Sequence, residues 1–174
     1  IISTHFLNIN DSKIINGLKN AKVPGRFEKI IHPLDFTVIV DYAHTPDALE
    51  NVLECAKNLK PNRLICVFGA GGDRDKKKRP LMGQISKKIS DLTIITSDNP
   101  RSEKPIQIIN DIEKAFKKDD NYLIEINREK AISKAIEIAK NGDLILIAGK
   151  GHENYQIFKD KTIHFSDQET ALKY

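Results

Sequence analysis

Four segments of the sequence concentrate glycine, charged residues and histidine, the residue types that most often bind ligands. The segments are 41–47 (DYAHTPD), 69–79 (GAGGDRDKKKR), 97–102 (SDNPRS) and 149–153 (GKGHE). Each follows a short run of apolar, mostly β-branched residues, whereas the connectors before such runs are ordinary polar segments. If the runs are parallel strands, the four segments leave the same edge of one sheet, where helix amino termini present free N–H groups. The sequence therefore predicts a single functional edge.

The tetrapeptide Asp98–Arg101 is the most informative of these motifs. Pro100 stiffens the turn, Asp98 and Asn99 offer short hydrogen-bonding side chains, and Arg101 can bind a carboxylate through two parallel hydrogen bonds. Such a loop is suited to bind the zwitterionic end of an amino acid. The residue types alone also fit an Asx turn with a surface arginine, so both interpretations stay open at this point.

The glycine-rich segment 69–72 lacks the Gly-x-x-x-x-Gly-Lys-Ser/Thr spacing of a phosphate-binding P-loop. It fits either a close approach of the backbone to a ligand or a tight turn before the next helix. Arg74, between Asp73 and Asp75, is well placed to bind a carboxylate. Residues 76–79 are predicted to be a run of solvated charge.

Other chemistries find less support in the sequence. His44 and His152 could donate or accept protons near neutral pH, but a single histidine in a loop is more often structural. Cys55 and Cys66 have no CxxC or Cys/His spacing, and we predict that both are reduced residues packed in apolar surroundings. No zinc-ligand spacing or Gly-x-Ser-x-Gly elbow is present, so the sequence predicts neither a metal site nor a serine hydrolase.

The elements that position these loops alternate regularly along the chain. We predict strands, each buried on both faces, at 36–41, 63–68, 92–96, 122–126 and 143–148. Amphipathic helices are predicted between them at 46–59, 80–90, 105–118 and 128–140. Such alternation requires crossover connections, so the fold class is α/β, with a mostly parallel sheet and helices on both faces. A small hairpin (156–159 with 162–165) and a closing helix capped by Ser166 should follow.

The amino-terminal segment does not belong to this alternation. Residues 11–21 are predicted to form a lone amphipathic helix, and the Pro24–Gly25 pair then breaks regular structure. We predict a domain boundary between about residues 29 and 35, with 1–31 as the tail of a preceding domain plus linker and 32–174 as the α/β domain. Since the chain begins without methionine, we expect it to be part of a longer protein.

The composition restricts the class of protein. Hydrophobic residues form 40% and charged residues 30% of the 174 residues, which is typical of a folded, soluble chain. The net charge of +4 is small, so a nucleic-acid partner is not predicted. No apolar run approaches the roughly 18 residues needed to cross a bilayer, so we expect no membrane association and a cytoplasmic location.

Six motifs, in this order, carry a resemblance to the Mur ligases that covers the chain from about Val23 to its end. They are 25–28 (GRFE), 41–47 (DYAHTPD), 71–75 (GGDRD), 79–83 (RPLMG), 98–101 (DNPR) and 148–153 (AGKGHE). Within the family, Asp-Asn-Pro-Arg is the form associated with members that add meso-diaminopimelate. The resemblance implies a Rossmann-like carboxy-terminal domain that works with preceding amino-terminal and central ATPase domains of the same enzyme.

The resemblance also implies a reaction. ATP, with Mg²⁺, phosphorylates the γ-carboxylate of D-glutamate in UDP-N-acetylmuramoyl-L-alanyl-D-glutamate, and an amine of meso-diaminopimelate attacks the acyl phosphate. An amide and phosphate are the products. The P-loop and the groups that manage Mg²⁺ would lie in the preceding domains, so this chain alone is expected to be inactive.

Individual residues acquire roles from the same resemblance. Arg26 and Asp41 match catalytic and nucleotide-binding positions, and His44 matches a position lining the nucleotide. Six positions match residues that bind diaminopimelate: Arg74, Asp98, Asn99, Arg101, Gly149 and Glu153. The arginines would bind its distal carboxylate, and the two acids would bind its ammonium.

Two other functions remain open. One is a related amide ligase, such as a lysine-adding Mur ligase or a folylpolyglutamate synthase. The other is a non-catalytic Rossmann-like module that binds a nucleotide or an amino acid.

Overall fold

A computed structural model of the protein describes residues 9–20, 23–31 and 33–174. Its strands are β1 Glu28–Ile30, β2 Thr37–Asp41, β3 Leu64–Phe68, β4 Leu92–Ile95, β5 Tyr122–Ile124, β6 Leu144–Ala148, β7 Tyr155–Ile157 and β8 Thr162–His164. Its helices are α1 Asp11–Asn20, α2 Pro46–Asn58, α3 Lys78–Ile89, α4 Pro105–Glu113, α5 Arg128–Ile138 and α6 Asp167–Lys173. The predicted α/β fold is confirmed.

The main sheet has the strand order β1-β2-β6-β3-β4-β5. Every neighbouring pair is parallel except β1 with β2, while β7 and β8 form a separate antiparallel hairpin. Asp41, Ala148, Phe68 and Ile95 lie side by side at the carboxyl ends of β2, β6, β3 and β4. The loops after these strands therefore leave one edge, as predicted, and the loop after the central β6 lies between the others.

Alternate residues of the central strands pack against helices on opposite faces of the sheet. One core cluster includes Ile39 and Leu146 together with Leu53 of α2 and Ile109 of α4. The other includes the intervening strand residues with Ala131 and Ile132 of α5 and Ala171 of α6. Burial of each large apolar side chain stabilises the fold by about 1.5–3 kcal/mol. In the described part of the chain, no helix is both long and apolar enough to cross a bilayer.

Several predicted elements differ in the structure. β5 was predicted to be buried on both faces over 122–126, but it is a three-residue edge strand in which Leu123 and Ile124 are exposed. α4 ends at Glu113 rather than at 118, and α3 begins at Lys78, two residues earlier than predicted. Cys55 is exposed rather than packed, although Cys66 is buried as predicted. Burial raises the pKa of the Cys66 thiol to about 12, so this thiol is unreactive.

The amino-terminal segment contributes a strand that the sequence did not predict. β1 pairs antiparallel with β2, although it lies within the first 31 residues that were assigned to a preceding domain. The domain boundary therefore stays a prediction, while the sheet itself extends back to Glu28. The predicted amino-terminal helix is present as α1, and its predicted last residue, Ala21, lies outside the described residues.

Candidate functional site

A pocket of about 290 Å³ opens at the predicted edge of the sheet, between the loops that follow β2, β3, β4 and β6. Its lining residues are Tyr42, His44, Thr45, Gly71, Arg74, Lys78, Asp98, Asn99, Arg101, Gly149 and Glu153. All six residues predicted to bind an amino-acid substrate are among them, together with His44. Arg26 and Asp41 are not. Four lining residues were not proposed as site residues, although each belongs to one of the segments that the sequence singled out: Tyr42, Thr45, Gly71 and Lys78.

Hydrogen bonds join the loops after β3 and β4. Gly72 N donates to Asn99 O at 2.9 Å, and the Ser102 hydroxyl and amide donate to the Asp73 carboxylate at 2.6 and 3.1 Å. A Cβ at Gly72 would overlap the carbonyl oxygen of Pro100. Glycine is therefore required here so that the two loops can pack closely, which explains part of the glycine-rich motif.

Arg101 is held in a strained backbone conformation within the pocket. Its φ is +51°, in the left-handed region that costs a non-glycine residue roughly 1–2 kcal/mol. Its Nη1 donates to Gly72 O at 2.9 Å, and its amide donates to Ile157 O at 3.0 Å. Within the described residues, Nε and Nη2 of Arg101 make no hydrogen bond, so one side of the guanidinium can bind a carboxylate. Arg101 is thus half-buried and tied to the neighbouring loop, while its role in binding a ligand stays a prediction.

A buried lysine connects the acidic residues of the pocket. Lys150 is 0% exposed, and its Nζ lies 3.1 Å from Glu153 Oε2 and 3.7 Å from Asp98 Oδ1. It also donates to Asn99 Oδ1 at 3.1 Å, while Asn99 Nδ2 donates to Glu153 Oε2 at 3.0 Å. Sequence reasoning did not select Lys150. Its position between two glycines directly after the central strand was the available signal.

Gly149 allows the loops after β4 and β6 to approach each other. Its φ is +120°, and a Cβ there would lie 2.9 Å from Asp98 Oδ2. Any other residue would be strained in this conformation and would displace the Asp98 carboxylate. Gly149 therefore keeps the floor of the pocket open.

The outer rim of the pocket carries further positive charge. Arg74 is exposed and donates to Asp73 O at 3.1 Å, whereas Lys78 is half-buried and donates to His44 O at 3.0 Å. Burial lowers the pKa of Lys78 from its ordinary value. His44 is exposed, and its ring packs edge-on against Tyr42 with centroids 4.6 Å apart. The pocket thus presents charges of both signs to a ligand.

Arg26 and Asp41 lie beside the pocket rather than in it. The Arg26 guanidinium carbon lies 4.5 Å from the centroid of the Tyr42 ring, and Tyr42 itself lines the pocket. Asp41 is 9% exposed, and its two carboxylate oxygens accept hydrogen bonds from Phe27 N (2.7 Å) and Ala43 N (2.8 Å). Asp41 therefore attaches the segment that carries Arg26 to the end of β2. Their predicted contacts with a nucleotide stay predictions.

The prediction that residues 76–79 are a run of solvated charge is wrong for Arg79. Its side chain is 0% exposed, because it lies inside α3 and faces α4. It forms two hydrogen bonds with the Glu103 carboxylate (2.7 and 3.0 Å) and one with Asp111 (3.0 Å), and it reaches Gly71 O at 3.3 Å. Arg79 is therefore a buried support beneath two of the pocket loops.

The pairing of Glu103 with Arg79 predicts a stability change in acid. The hydrogen bond from Arg79 lowers the pKa of Glu103 from 4.5 to about 2. A lowered folded-state pKa stabilises the fold above the unfolded value, so this stability is lost as the pH falls from about 4.5 to about 2. We expect Glu103→Gln to lack this component, on the order of 2 kcal/mol after solvent screening. Urea unfolding at pH 7 and pH 3 measures it, and equal pH dependence of both proteins would contradict the assignment.

A second buried ion pair supports the site from the opposite face of the sheet. Arg128 and Asp167 are both 0% exposed at their side chains, and Arg128 Nε and Nη2 each lie 2.8 Å from a carboxylate oxygen of Asp167. Arg128 also donates to Ala148 O at 3.0 Å and to Ser97 O at 3.4 Å, at the ends of β6 and β4. This pair joins α5 and α6 to the strands whose loops form the pocket.

In the part of the chain that the structure describes, no group of three or more His, Cys, Asp or Glu side chains is arranged to hold a metal ion.

Known proteins resemble this chain in sequence and in structure. The family model described as Mur ligase, glutamate ligase domain, matches residues 25–151. The chain is 56% identical over 173 residues to the UDP-N-acetylmuramoyl-L-alanyl-D-glutamate--2,6-diaminopimelate ligase of Clostridium perfringens, covering 98% of this chain and 36% of that protein. A solved structure of a ligase with the same name superposes with a TM-score of 0.78 at 39% identity, covering 98% of this chain and 35% of that one.

A more distant match is E. coli FolC, solved in complex with ADP. It superposes with a TM-score of 0.61 at 26% identity, over 82% of this chain and 32% of that one. In each comparison, the chain spans about a third of the length of the relative that it matches.

Proposed function

The chain belongs to the Mur ligase family, and we propose that it is the carboxy-terminal domain of an ATP-dependent ligase that adds meso-diaminopimelate to UDP-N-acetylmuramoyl-L-alanyl-D-glutamate. The resemblance that six sequence motifs indicated is confirmed at the level of the family. The observation that carries the proposal is the pocket in which Arg74, Arg101, Asp98 and Glu153 converge. Its charges match an amino-acid head that bears both a carboxylate and an ammonium.

The match to diaminopimelate depends on the side of the Arg101 guanidinium that makes no hydrogen bond within the described residues. Each end of diaminopimelate carries a carboxylate and an ammonium, whereas the side-chain end of lysine carries only an ammonium. The open Nε and Nη2 of Arg101 can bind the carboxylate, with Arg74 adding a second positive charge at the rim. With lysine, Arg101 would remain unpaired in a desolvated site, which costs about 1–3 kcal/mol or more.

In the proposed reaction this domain holds one end of the amino acid. The amine at the other end stays free to attack the activated carboxylate, so the pocket contributes by positioning. ATP would supply the phosphoryl group that activates this carboxylate, and we propose that other domains bind most of the ATP and Mg²⁺.

Two exposed residues of the chain can take part in binding the nucleotide. Arg26 and His44 are available to the ATP phosphates and to the nucleotide, respectively. Arg26 keeps its charge at any physiological pH, so it can stabilise negative charge that develops during phosphoryl transfer. Asp41 would act by holding the segment that carries Arg26, through its bond to Phe27 N.

The partners of the chain follow from this role. We propose that residues 1–31 lead from a preceding central ATPase domain, with Glu28–Ile30 completing the edge of the sheet. The substrates would be ATP, meso-diaminopimelate and the UDP-linked dipeptide. A cytoplasmic location fits the two free cysteines, since thiols persist in reducing compartments.

Acceptor preference in the complete protein tests the proposed function. The protein is incubated with ATP and UDP-N-acetylmuramoyl-L-alanyl-D-glutamate, together with either meso-diaminopimelate or L-lysine. We expect kcat/KM for diaminopimelate to exceed that for lysine by about 100-fold or more, because a site built to bind a polar group rejects analogues that lack it. Omission of the UDP-linked dipeptide should abolish product. Equal rates or a lysine preference would contradict the substrate assignment, and binding without amide formation would instead support a non-catalytic binding module.

A further inference from the structure

The buried lysine of the pocket has no place in the proposed contacts with the ligand. Lys150 is 0% exposed, so it does not line the pocket, yet its ammonium lies 3.1 Å from Glu153 and 3.7 Å from Asp98. These are the two acids that line the pocket. Both carboxylates are therefore already paired with a positive charge inside the protein.

Burial of Lys150 is costly, and its partners Asn99 and Glu153 also make hydrogen bonds that do not involve Lys150. Removing an ammonium from water costs several kcal/mol, which pairing offsets only in part. The neighbouring loop is also fixed by hydrogen bonds that do not involve Lys150, for example from Asn99 Nδ2 to Glu153 Oε2 and from Ile157 N to Asn99 Oδ1. Well-packed apolar residues in place of a whole buried ion pair are often as stable as the pair itself. The charge of Lys150 is thus the property that needs explanation.

The positive charge of Lys150 changes the balance of positive and negative charges around the pocket. The lining residues Arg74, Lys78 and Arg101 are basic, whereas Asp98 and Glu153 are acidic. Lys150 adds a fourth positive charge directly behind the two acids. An ammonium bound to Glu153 would lie roughly 5 Å from that of Lys150, given ordinary hydrogen-bond lengths.

We infer that Lys150 is a specificity-determining residue, a fixed internal counter-ion that makes the pocket reject a head group bearing an ammonium alone. In a head that also carries a carboxylate, attraction between Lys150 and the carboxylate offsets the repulsion between Lys150 and the ammonium. Such a head is therefore not rejected. An ammonium alone has no such compensation. The inference rests on the proposed function and deepens it, because it adds a second source of discrimination to the arginine contacts.

The test compares two constants in the complete protein. These are KM for meso-diaminopimelate and the inhibition constant KI of 1,5-diaminopentane competing with it, because both ends of this diamine carry an ammonium alone. We expect Lys150→Met to lower the ratio of KI to KM by about 10- to 100-fold, since a charge some 5 Å away acts at an effective dielectric near 20 and is further reduced by salt. Lys150→Arg, which keeps the charge, should restore most of the ratio.

Two further variants make the result unambiguous. Lys134→Met makes the same change on the exposed face of α5, where Lys134 pairs with Glu137, and it should leave the ratio unchanged. Lys150→Gln removes the charge but can keep a hydrogen bond to Asn99, so it serves if Lys150→Met fails to fold. A purely structural role would weaken both ligands together and leave the ratio constant in Lys150→Met and Lys150→Gln. That outcome would overturn the inference while the proposed function stood. If the wild-type protein fails to use diaminopimelate, the proposed function fails and the inference falls with it.

Discussion

Replacement of Arg101 by alanine in the complete protein should raise KM for meso-diaminopimelate by about 10- to 100-fold while KM for ATP changes less than about threefold. The estimate corresponds to the loss of charged hydrogen bonds worth about 1.5–3 kcal/mol. KM for ATP should change little, because Arg101 lies on the loop after β4, between Gly72 and Ile157. Steady-state kinetics with each substrate varied in turn measures both constants.

A glycine variant separates the side chain of Arg101 from its backbone strain. Alanine at φ +51° keeps the strain, whereas glycine relieves it. Arg101→Gly and Arg101→Ala should therefore show the same rise in KM for diaminopimelate, although the glycine variant should be the more stable protein. A comparable rise in both substrate constants would contradict the role assigned to Arg101.

The Arg128→Met substitution should destabilise the 174-residue chain by about 3–5 kcal/mol, the usual cost of removing one partner of a buried ion pair. The variant leaves the carboxylate of Asp167, 0% exposed at its side chain, without its counter-ion. It also removes the donor to Ala148 O and Ser97 O, which fixes two strand ends below the pocket. Urea unfolding monitored by circular dichroism measures the free energy of unfolding.

A double variant and a surface variant serve as controls for Arg128. Adding Asp167→Asn to Arg128→Met removes the unpaired charge and should recover part of the lost stability. Lys134→Met, on the same helix but exposed, should change the free energy of unfolding by less than about 0.5 kcal/mol. If Arg128→Met costs less than about 1 kcal/mol, the pair does not hold the helices to the sheet as described.

Periodicity predicted the sheet because its central strands are buried on both faces. Runs such as 144–148 contain only apolar residues, and the structure places all five of them in the core. The order of strands and loops along the chain then fixed which loops share an edge. The same reasoning failed for β5, whose apolar Leu123 and Ile124 lie at an exposed sheet edge. Apolar character alone does not distinguish a central from an edge strand.

Most pocket residues were predicted because the motifs that carry them follow strands directly. The buried charges could not be predicted in this way. Arg79 belongs to a run of four basic residues, but α3 begins within that run and successive helical side chains point about 100° apart, so one of them faces α4. Lys150 is buried only because carboxylates from two separate loops, at Asp98 and Glu153, surround its ammonium. Such partners come together through the fold and not through sequence spacing.

The central claim is that one head of diaminopimelate lies in the pocket formed by the loops after β2, β3, β4 and β6. A crystal structure of the complete protein with meso-diaminopimelate tests it most directly. We predict a carboxylate of the ligand about 3 Å from the guanidinium of Arg101 and the adjacent ammonium about 3 Å from Glu153. Diaminopimelate bound elsewhere, or with its carboxylate turned away from both Arg74 and Arg101, would contradict the claim.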